Sequence, residues 1–175
     1  MSYTNKLLIV LGVVLALAGF GFGIEKTTDV PVDIIETEVE DRQSATGTVA
    51  EVVYVIDGDT IEIDSGERVR LLGIDTPEMD ECYYQEATEF VREQLAGQSV
   101  RLVTDATDQD EYGRLLRQVF IISGEGGVEV HLNLRLLQGG YAEVLPIPPD
   151  RAYREVFKEA EENAKANGLG RWSEC

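Results

Sequence analysis

Val49-Ala50-Glu51-Val52-Val53-Tyr54-Val55-Ile56, then Asp57-Gly58-Asp59, then Thr60-Ile61-Glu62-Ile63: this run decides the fold. Its first part is rich in Val, Ile and Tyr, the residue types that favour a strand. Asp57-Gly58-Asp59 breaks it with a turn signal. Ile61 and Ile63 alternate onto one face, as a second strand requires. Ser65-Gly66 turns the chain again, and Glu67 to Ile74 reads as a third strand. Three short strands joined by tight turns make a meander.

Working outward, Pro77 stops the sheet. Ala87, Phe90, Val91 and Leu95 recur with a helical period across Tyr84 to Leu95. Gly97 ends that helix. Ser99 to Val103 and Leu115 to Ile122 read as two more strands. Leu132, Leu134, Leu136 and Leu137 predict a short helix closed by Gly139-Gly140. The last helix is expected from about Asp150 to Asn167, with Asp150 as N-cap and Gly168 just past its end. Five strands, a helix between the third and fourth, and helices after the fifth predict an α+β, mainly β, chain. The expected architecture is a five-stranded OB-type barrel with about three helices.

Upstream of the strands lies an apolar run from Leu7 to Ile24, about 18 residues long. That length sits at the short edge of a membrane span and is long for the apolar core of a signal peptide. Lys6 precedes the run and acidic residues follow it, so the positive-inside rule places everything after Ile24 outside the cytoplasm. Residues 1–24 are therefore expected to be a signal peptide or a membrane anchor. Cleavage stays open, because Ala16-Leu17-Ala18 lies within the run itself. Residues 25–45 read as an acidic, solvated linker with a strand conceivable at Val30 to Ile35. The folded domain is expected over 46–175. The localisation read from this is extracellular, either secreted or tethered to the outer face of the membrane. The domain is expected to be a monomer.

The chain carries 33 acidic against 15 basic residues, for a net charge of −18. A polyanion repels a polyanion, so this balance argues against nucleic acid as a partner. The objection weakens in concentrated salt, where the Debye length falls to about 3 Å at 1 M. Acid excess with mostly arginine among the basic residues suggests a halophilic source; a solubilising acidic surface is the plainer explanation. Neither Cys82 nor Cys175 has the spacing of a zinc site.

Two segments carry candidate chemistry. Asp57-Gly58-Asp59-Thr60 ends strand one, and Asp75-Thr76-Pro77-Glu78 ends strand three. A meander brings both to one rim, so four carboxylates can converge there. Clustered carboxylates repel unless a positive charge sits among them. A hard divalent cation with oxygen ligands supplies it. Read singly, each segment is an ordinary turn. Arg68 and Arg70 share a face of strand three, and Arg114 starts strand five. Arginine forks suit phosphate oxygens, although surface ion pairs compete for each. Arg70 and Asp75 differ in strand parity, so a bend near Gly73 is required to bring them together.

Ile56-Asp57-Gly58-Asp59-Thr60, Arg70-Leu71-Leu72-Gly73-Ile74-Asp75-Thr76-Pro77-Glu78 and Tyr112-Gly113-Arg114 resemble the three signature blocks of the thermonuclease, or staphylococcal nuclease-like, family. Gly170-Arg171-Trp172-Ser173-Glu174 resembles its C-terminal helix end. The resemblance spans about Thr46 to Cys175. It implies a calcium-dependent nuclease acting on DNA or RNA, leaving 3′-phosphate and 5′-hydroxyl ends. By the same resemblance, Asp59, Asp75 and the Thr76 carbonyl hold calcium, with Asp57 behind them. Glu78 activates or orients water, and Arg70 and Arg114 hold the phosphate.

The chain departs from the family pattern twice. A lysine-rich loop is replaced by the short acidic Met79-Asp80-Glu81-Cys82. Two nucleotide-flanking tyrosines align with Pro146 and Pro148. Tyr83, Tyr84 or Tyr141 are alternative stacking candidates, against ordinary packing. His131 is expected to be structural, and Trp172 to anchor the last helix. Cys82 and Cys175 are expected to pair and fix the C-terminus near the site rim; a free terminal thiol is the competing reading. Two other functions remain: a barrel that binds nucleic acid or protein without cutting, and a surface protein that binds calcium for structure only.

Overall fold

A computed structural model describes residues 47–123 and 128–175. The apolar run, the acidic linker and the possible strand at Val30 to Ile35 lie outside the described residues.

The meander forms as the residue pattern predicts. Strand β1 (Thr48–Val55) pairs antiparallel with β2 (Thr60–Ile63), and β2 with β3 (Arg68–Leu71). Ile61, Ile63, Val69 and Leu71 turn inward and are buried. Two further strands close the sheet. β5 (Ser99–Val103) pairs with β1, and β6 (Leu115–Ser123) pairs with β5 and runs parallel to β3. The order β3-β2-β1-β5-β6, joined back to β3, is a closed five-stranded barrel. Closure leaves these five strands without an open edge among themselves, the usual solution for a small antiparallel fold.

Helix α1 (Tyr84–Leu95) lies between the third and fourth barrel strands and buries Ala87, Val91 and Leu95. Gly97 ends it at φ +68°. Helix α2 (Leu132–Gln138) buries Leu132, Leu136 and Leu137, and packs against helix α3 (Arg154–Ala166). Gly168 follows α3 at φ +58°, in the left-handed conformation that closes helices. A last turn of helix, α4 (Arg171–Glu174), ends the chain. Cys175 is disulfide-bonded to Cys82 across 93 residues. Among the described residues, no helix is long and apolar enough to cross a membrane.

Several details differ from the expectation. The third strand does not run unbroken to Ile74. It stops at Leu71 and resumes as the two-residue β4 (Ile74–Asp75), which pairs with β8 (Glu143–Val144). Gly73 makes the break at φ +84°, where a Cβ would lie 3.0 Å from the Phe157 ring. A hairpin strand, β7 (Val128–His131), extends the sheet beyond β6. Asp150 does not cap the last helix, which starts four residues later. Its Oδ1 instead accepts the backbone N–H groups of Ala106 and Thr107, at 2.7 and 2.8 Å. Tyr153 stands at the N-cap without a side-chain bond.

Asn133 is a buried clamp that the pattern does not announce. Its Oδ1 accepts the Val119 N–H at 2.9 Å, and its Nδ2 donates to the Leu72 carbonyl at 3.0 Å. It thus fixes the chain just before the Gly73 break.

Candidate functional site

The β1–β2 turn and the β3–β4 break meet at one rim. Gly58 makes the approach possible: a Cβ there would lie 2.7 Å from Thr76 Oγ1. Asp57 shapes the turn by accepting the Asp59 N–H at 3.0 Å. Asp59 then points inward, and its side chain is only 9% exposed. Its Oδ2 accepts both the N–H and the hydroxyl of Thr76 at 3.1 Å, and its Oδ1 accepts the Thr60 hydroxyl at 3.0 Å.

Arg70 reaches the same point from β3. One nitrogen, Nη2, lies 3.0 Å from Asp59 Oδ2 and 2.8 Å from Asp75 Oδ1. Its other terminal nitrogen donates to the carbonyls of Leu71 and Ile74, each at 2.7 Å. The Gly73 bend makes this possible, because it turns Asp75 back toward a residue of opposite strand parity. Burial pushes the Asp59 carboxyl up to about 6, against the pull of Arg70, and the charge of Asp57 adds to the rise.

Arg114 is placed by a different device. The Asp110 carboxylate accepts the Arg114 N–H at 2.9 Å and its Nε–H at 2.7 Å. Gly113, at φ +77°, lets the turn between them close. Burial raises the Asp110 carboxyl, but the bonds from Arg114 and Tyr112 outweigh it and hold it below the usual range. The Arg114 guanidinium lies 5.5 Å from the centre of the Tyr112 ring, which is 77% exposed. β3 and β6 pair through Val69 and Leu115, so the preceding residues, Arg68 and Arg114, are neighbours. Both line an open cleft with Gly66, Glu67, Tyr112 and Gly113.

Of the expected site residues, the structure gathers Asp57, Asp59, Arg70, Asp75 and Thr76 into one hydrogen-bonded group. Arg114 stands on the neighbouring strand, with its own carboxylate partner. Glu78 lies apart. It is exposed, and its backbone N–H donates to Glu81 Oε2 at 2.9 Å in a tight turn. Among the described residues its own carboxylate takes no hydrogen bond or ion pair. Tyr112 and Asp110 were not singled out from the sequence, although both sit in or beside the Tyr112-Gly113-Arg114 block. Tyr141 stacks on Phe90 at 4.3 Å and meets Tyr83 at 5.6 Å, so both pack as ordinary aromatics. Pro146 and Pro148 line a separate cavity of about 190 Å³ with Gly73, Tyr153 and Phe157. His131 is stacked on Phe120 and meets Tyr153 edge-on, and burial lowers its pKa to about 4, with Arg101 adding to the fall.

Residues 68–174, more than half of the chain, match the family model described as staphylococcal nuclease homologue. The chain belongs to the staphylococcal nuclease homologue family. It is 38% identical over 130 residues to the thermonuclease of Staphylococcus intermedius, covering 69% of this chain and 74% of that protein. It is 34% identical over 131 residues to the thermonuclease of Staphylococcus hyicus, covering 70% and 74%. An uncharacterized endonuclease of Escherichia coli O157:H7 is 36% identical over 96 residues, covering 53% and 58%.

For a staphylococcal nuclease homologue the rim offers a simple test of metal fit. Among the described residues, no group of three or more acidic, histidine or cysteine side chains is assembled to hold a metal. What exists is two carboxylates, Asp59 and Asp75, converging on one cationic nitrogen. Their donors are all oxygen, and Asp75 is 41% exposed. This set fits a hard cation in an open site, with its remaining ligands drawn from water or substrate. It does not fit a closed cage or a soft metal.

Proposed function

We propose that this chain is a calcium-dependent nuclease that hydrolyses phosphodiester bonds of DNA, and of RNA where it is offered. The observation that carries the reading is the convergence of Asp59 and Asp75 on Arg70, with Arg114 on the adjoining strand. Opposed acidic and guanidinium groups on one barrel rim are what a phosphodiester site needs. The family membership and the nuclease names of its relatives support the same class of activity.

Calcium, when bound at Asp59, Asp75 and the Thr76 carbonyl, supplies positive charge beside the phosphate. Arg70 and Arg114 hold non-bridging phosphate oxygens and stabilise the charge that grows on them. Arg70 is pre-set by the Leu71 and Ile74 carbonyls, so it loses little freedom on engaging substrate. The Glu78 carboxylate, without a hydrogen bond or ion pair among the described residues, accepts a proton from the attacking water. The new P–O bond forms as the bond to the 5′ oxygen breaks; that oxygen takes up a proton from solvent water as it leaves. The products are a 3′-phosphate and a 5′-hydroxyl.

In the same reading, residues 1–24 carry the domain 46–175 out of the cell, as a leader or as an anchor at the outer face of the membrane. The linker 25–45 spaces it, and the domain acts as a monomer. The acidic surface is an adaptation to concentrated salt. Few phosphate contacts then predict a shallow salt dependence.

The test is product analysis. The full chain would be incubated with end-labelled single-stranded DNA in calcium or in chelator, at ~2 M salt where charge repulsion is screened. Calcium-dependent fragments ending in 3′-phosphate are expected. Fragments of the opposite polarity, or cutting in chelator, would contradict the mechanism. Oligonucleotide binding without cutting, by protein shown to be folded, would assign the chain to a non-cutting binding barrel.

A further inference from the structure

Arg68 has no role in the site as described, yet its setting is unusual for this chain. Acidic residues outnumber basic ones by 33 to 15. Most described arginines have accordingly found a carboxylate: Arg92 pairs with Glu89, Arg101 with Glu129, and Arg117 with Asp108. Arg68 is exposed and has no hydrogen bond or ion pair among the described residues. Glu67 lines the same cleft, but its Oε2 accepts the Ser65 hydroxyl at 2.9 Å rather than an Arg68 N–H.

The position of that unpaired charge is specific. Arg68 and Arg70 are two apart on β3, so they project from the same face roughly 6–7 Å apart. That spacing is comparable to one step of an extended nucleic-acid strand. Arg114, beside Arg68 on the parallel strand, commits its Nε to Asp110 and leaves its two terminal nitrogens open. Tyr112 presents an exposed ring at the cleft wall. The cleft therefore holds two open guanidinium forks and an aromatic face on a surface that is otherwise acidic. That combination suits a single nucleic-acid strand, its backbone held by the arginines and a base against the ring.

We propose that Arg68 is a substrate-gripping residue that holds the phosphate one step along the strand from the one being cut. It would replace, from the barrel surface, grip that the short acidic segment Met79 to Cys82 cannot give. The inference rests on the nuclease reading of the neighbouring rim. Arg68 acts on binding and not on the bond broken, so its effect depends on substrate length.

The experiment compares the full chain with Arg68→Ala and Arg68→Lys. Two substrates are used in calcium: a single-stranded oligonucleotide and a nucleotide p-nitrophenyl diester with a single phosphodiester. For Arg68→Ala, KM on the oligonucleotide should rise about tenfold with kcat within about twofold, since one charge-assisted contact is lost. The diester should be cut as before. Arg68→Lys should recover part of the loss, because a point charge remains. The dependence of log KM on log salt should flatten by about 0.7, the share of one phosphate contact to a single strand. Equal losses on both substrates, or an unchanged KM on the oligonucleotide, would overturn the proposal. Fluorescence anisotropy of a labelled oligonucleotide in chelator separates the two readings. If the wild type binds there but does not cut when calcium is added, the nuclease reading fails, and weaker binding by Arg68→Ala still supports the grip. Equal binding by both proteins overturns it. Wild type that neither binds nor cuts overturns both.

Discussion

At the scale of residues, the rim depends on small groups that let large ones meet. Gly58 is the clearest case. A methyl group there would overlap Thr76 Oγ1, the group that donates to Asp59. Gly58→Ala is expected to fold but to push Thr76 off Asp59. A loss of tenfold or more in kcat/KM is expected, with about 1 kcal/mol lost in stability, since a buried hydrogen bond is strained. Urea unfolding and oligonucleotide kinetics on the same sample check both parts.

His131 supplies a pH dependence. Burial among Phe120, Tyr153 and Phe157, with Arg101 nearby, holds its pKa at about 4 against 6.5 for a free imidazole. Its other neighbours are Gln118, which meets its Nε2 at 2.9 Å, and Glu129, which is ion-paired to Arg101. The folded pKa is depressed, so the unfolded chain binds the proton first. The contribution is intact above pH 6.5 and is lost as pH falls through that value toward 4. Between pH 7 and 5 the wild type should lose about 2 kcal/mol more than His131→Phe does. Comparing the two removes the opposite contribution of Asp59, whose raised pKa favours the folded state on acidification. Equal slopes for the two proteins would show that the imidazole does not titrate with unfolding.

At the scale of elements, the bend between β3 and β4 matters most. Gly73 adopts φ +84° and packs under the Phe157 ring. Gly73→Ala brings both left-handed strain and a tight contact. A loss of about 2 kcal/mol is expected in chemical unfolding, together with reduced activity as Asp75 moves from Arg70. Asn133, which ties Leu72 to β6, should cost about 2 kcal/mol on change to alanine, because the buried Val119 N–H loses this partner and the Leu72 carbonyl keeps only the longer bond from Gln118 Nε2 at 3.4 Å.

The same bend shows what the sequence makes legible. The mismatch in parity between Arg70 and Asp75 demands a kink, and glycine at 73 names its place. The meander, α1 and both glycine helix ends are readable because period and turn residues agree there. β7 and β8 are not, because both are short and β8 finds its partner, β4, far away in the chain. The start of α3 misleads because Asp150 has the chemistry of a cap but serves the backbone at Ala106 and Thr107. At the site, residue types predict the Asp59–Arg70–Asp75 group, whereas the tight turn that ties the Glu78 N–H to Glu81 is not announced by them.

At the scale of the whole molecule, one covalent link and one net charge dominate. The Cys82–Cys175 bond spans 93 residues and joins the last residue of the acidic segment to Cys175. Constraint of so long a loop in the unfolded state contributes about 2–4 kcal/mol. The double variant Cys82→Ser, Cys175→Ser should unfold at correspondingly lower urea yet keep its kcat where it remains folded. Loss of kcat in the folded variant would show that the bond shapes the site itself. The charge of −18 predicts the opposite kind of dependence: stability should rise with added salt as self-repulsion is screened.

The central claim is that the rim and its two arginines cut nucleic acid. It is tested most directly by the calcium-dependent cleavage rate of single-stranded DNA, comparing the full chain with the double variant Glu78→Gln, Arg114→Ala. The account predicts ready cleavage by the wild type and a loss of about 10⁴-fold or more in the variant, both being folded. Cleavage by the variant at a rate near that of the wild type would place the chemistry elsewhere and contradict the account.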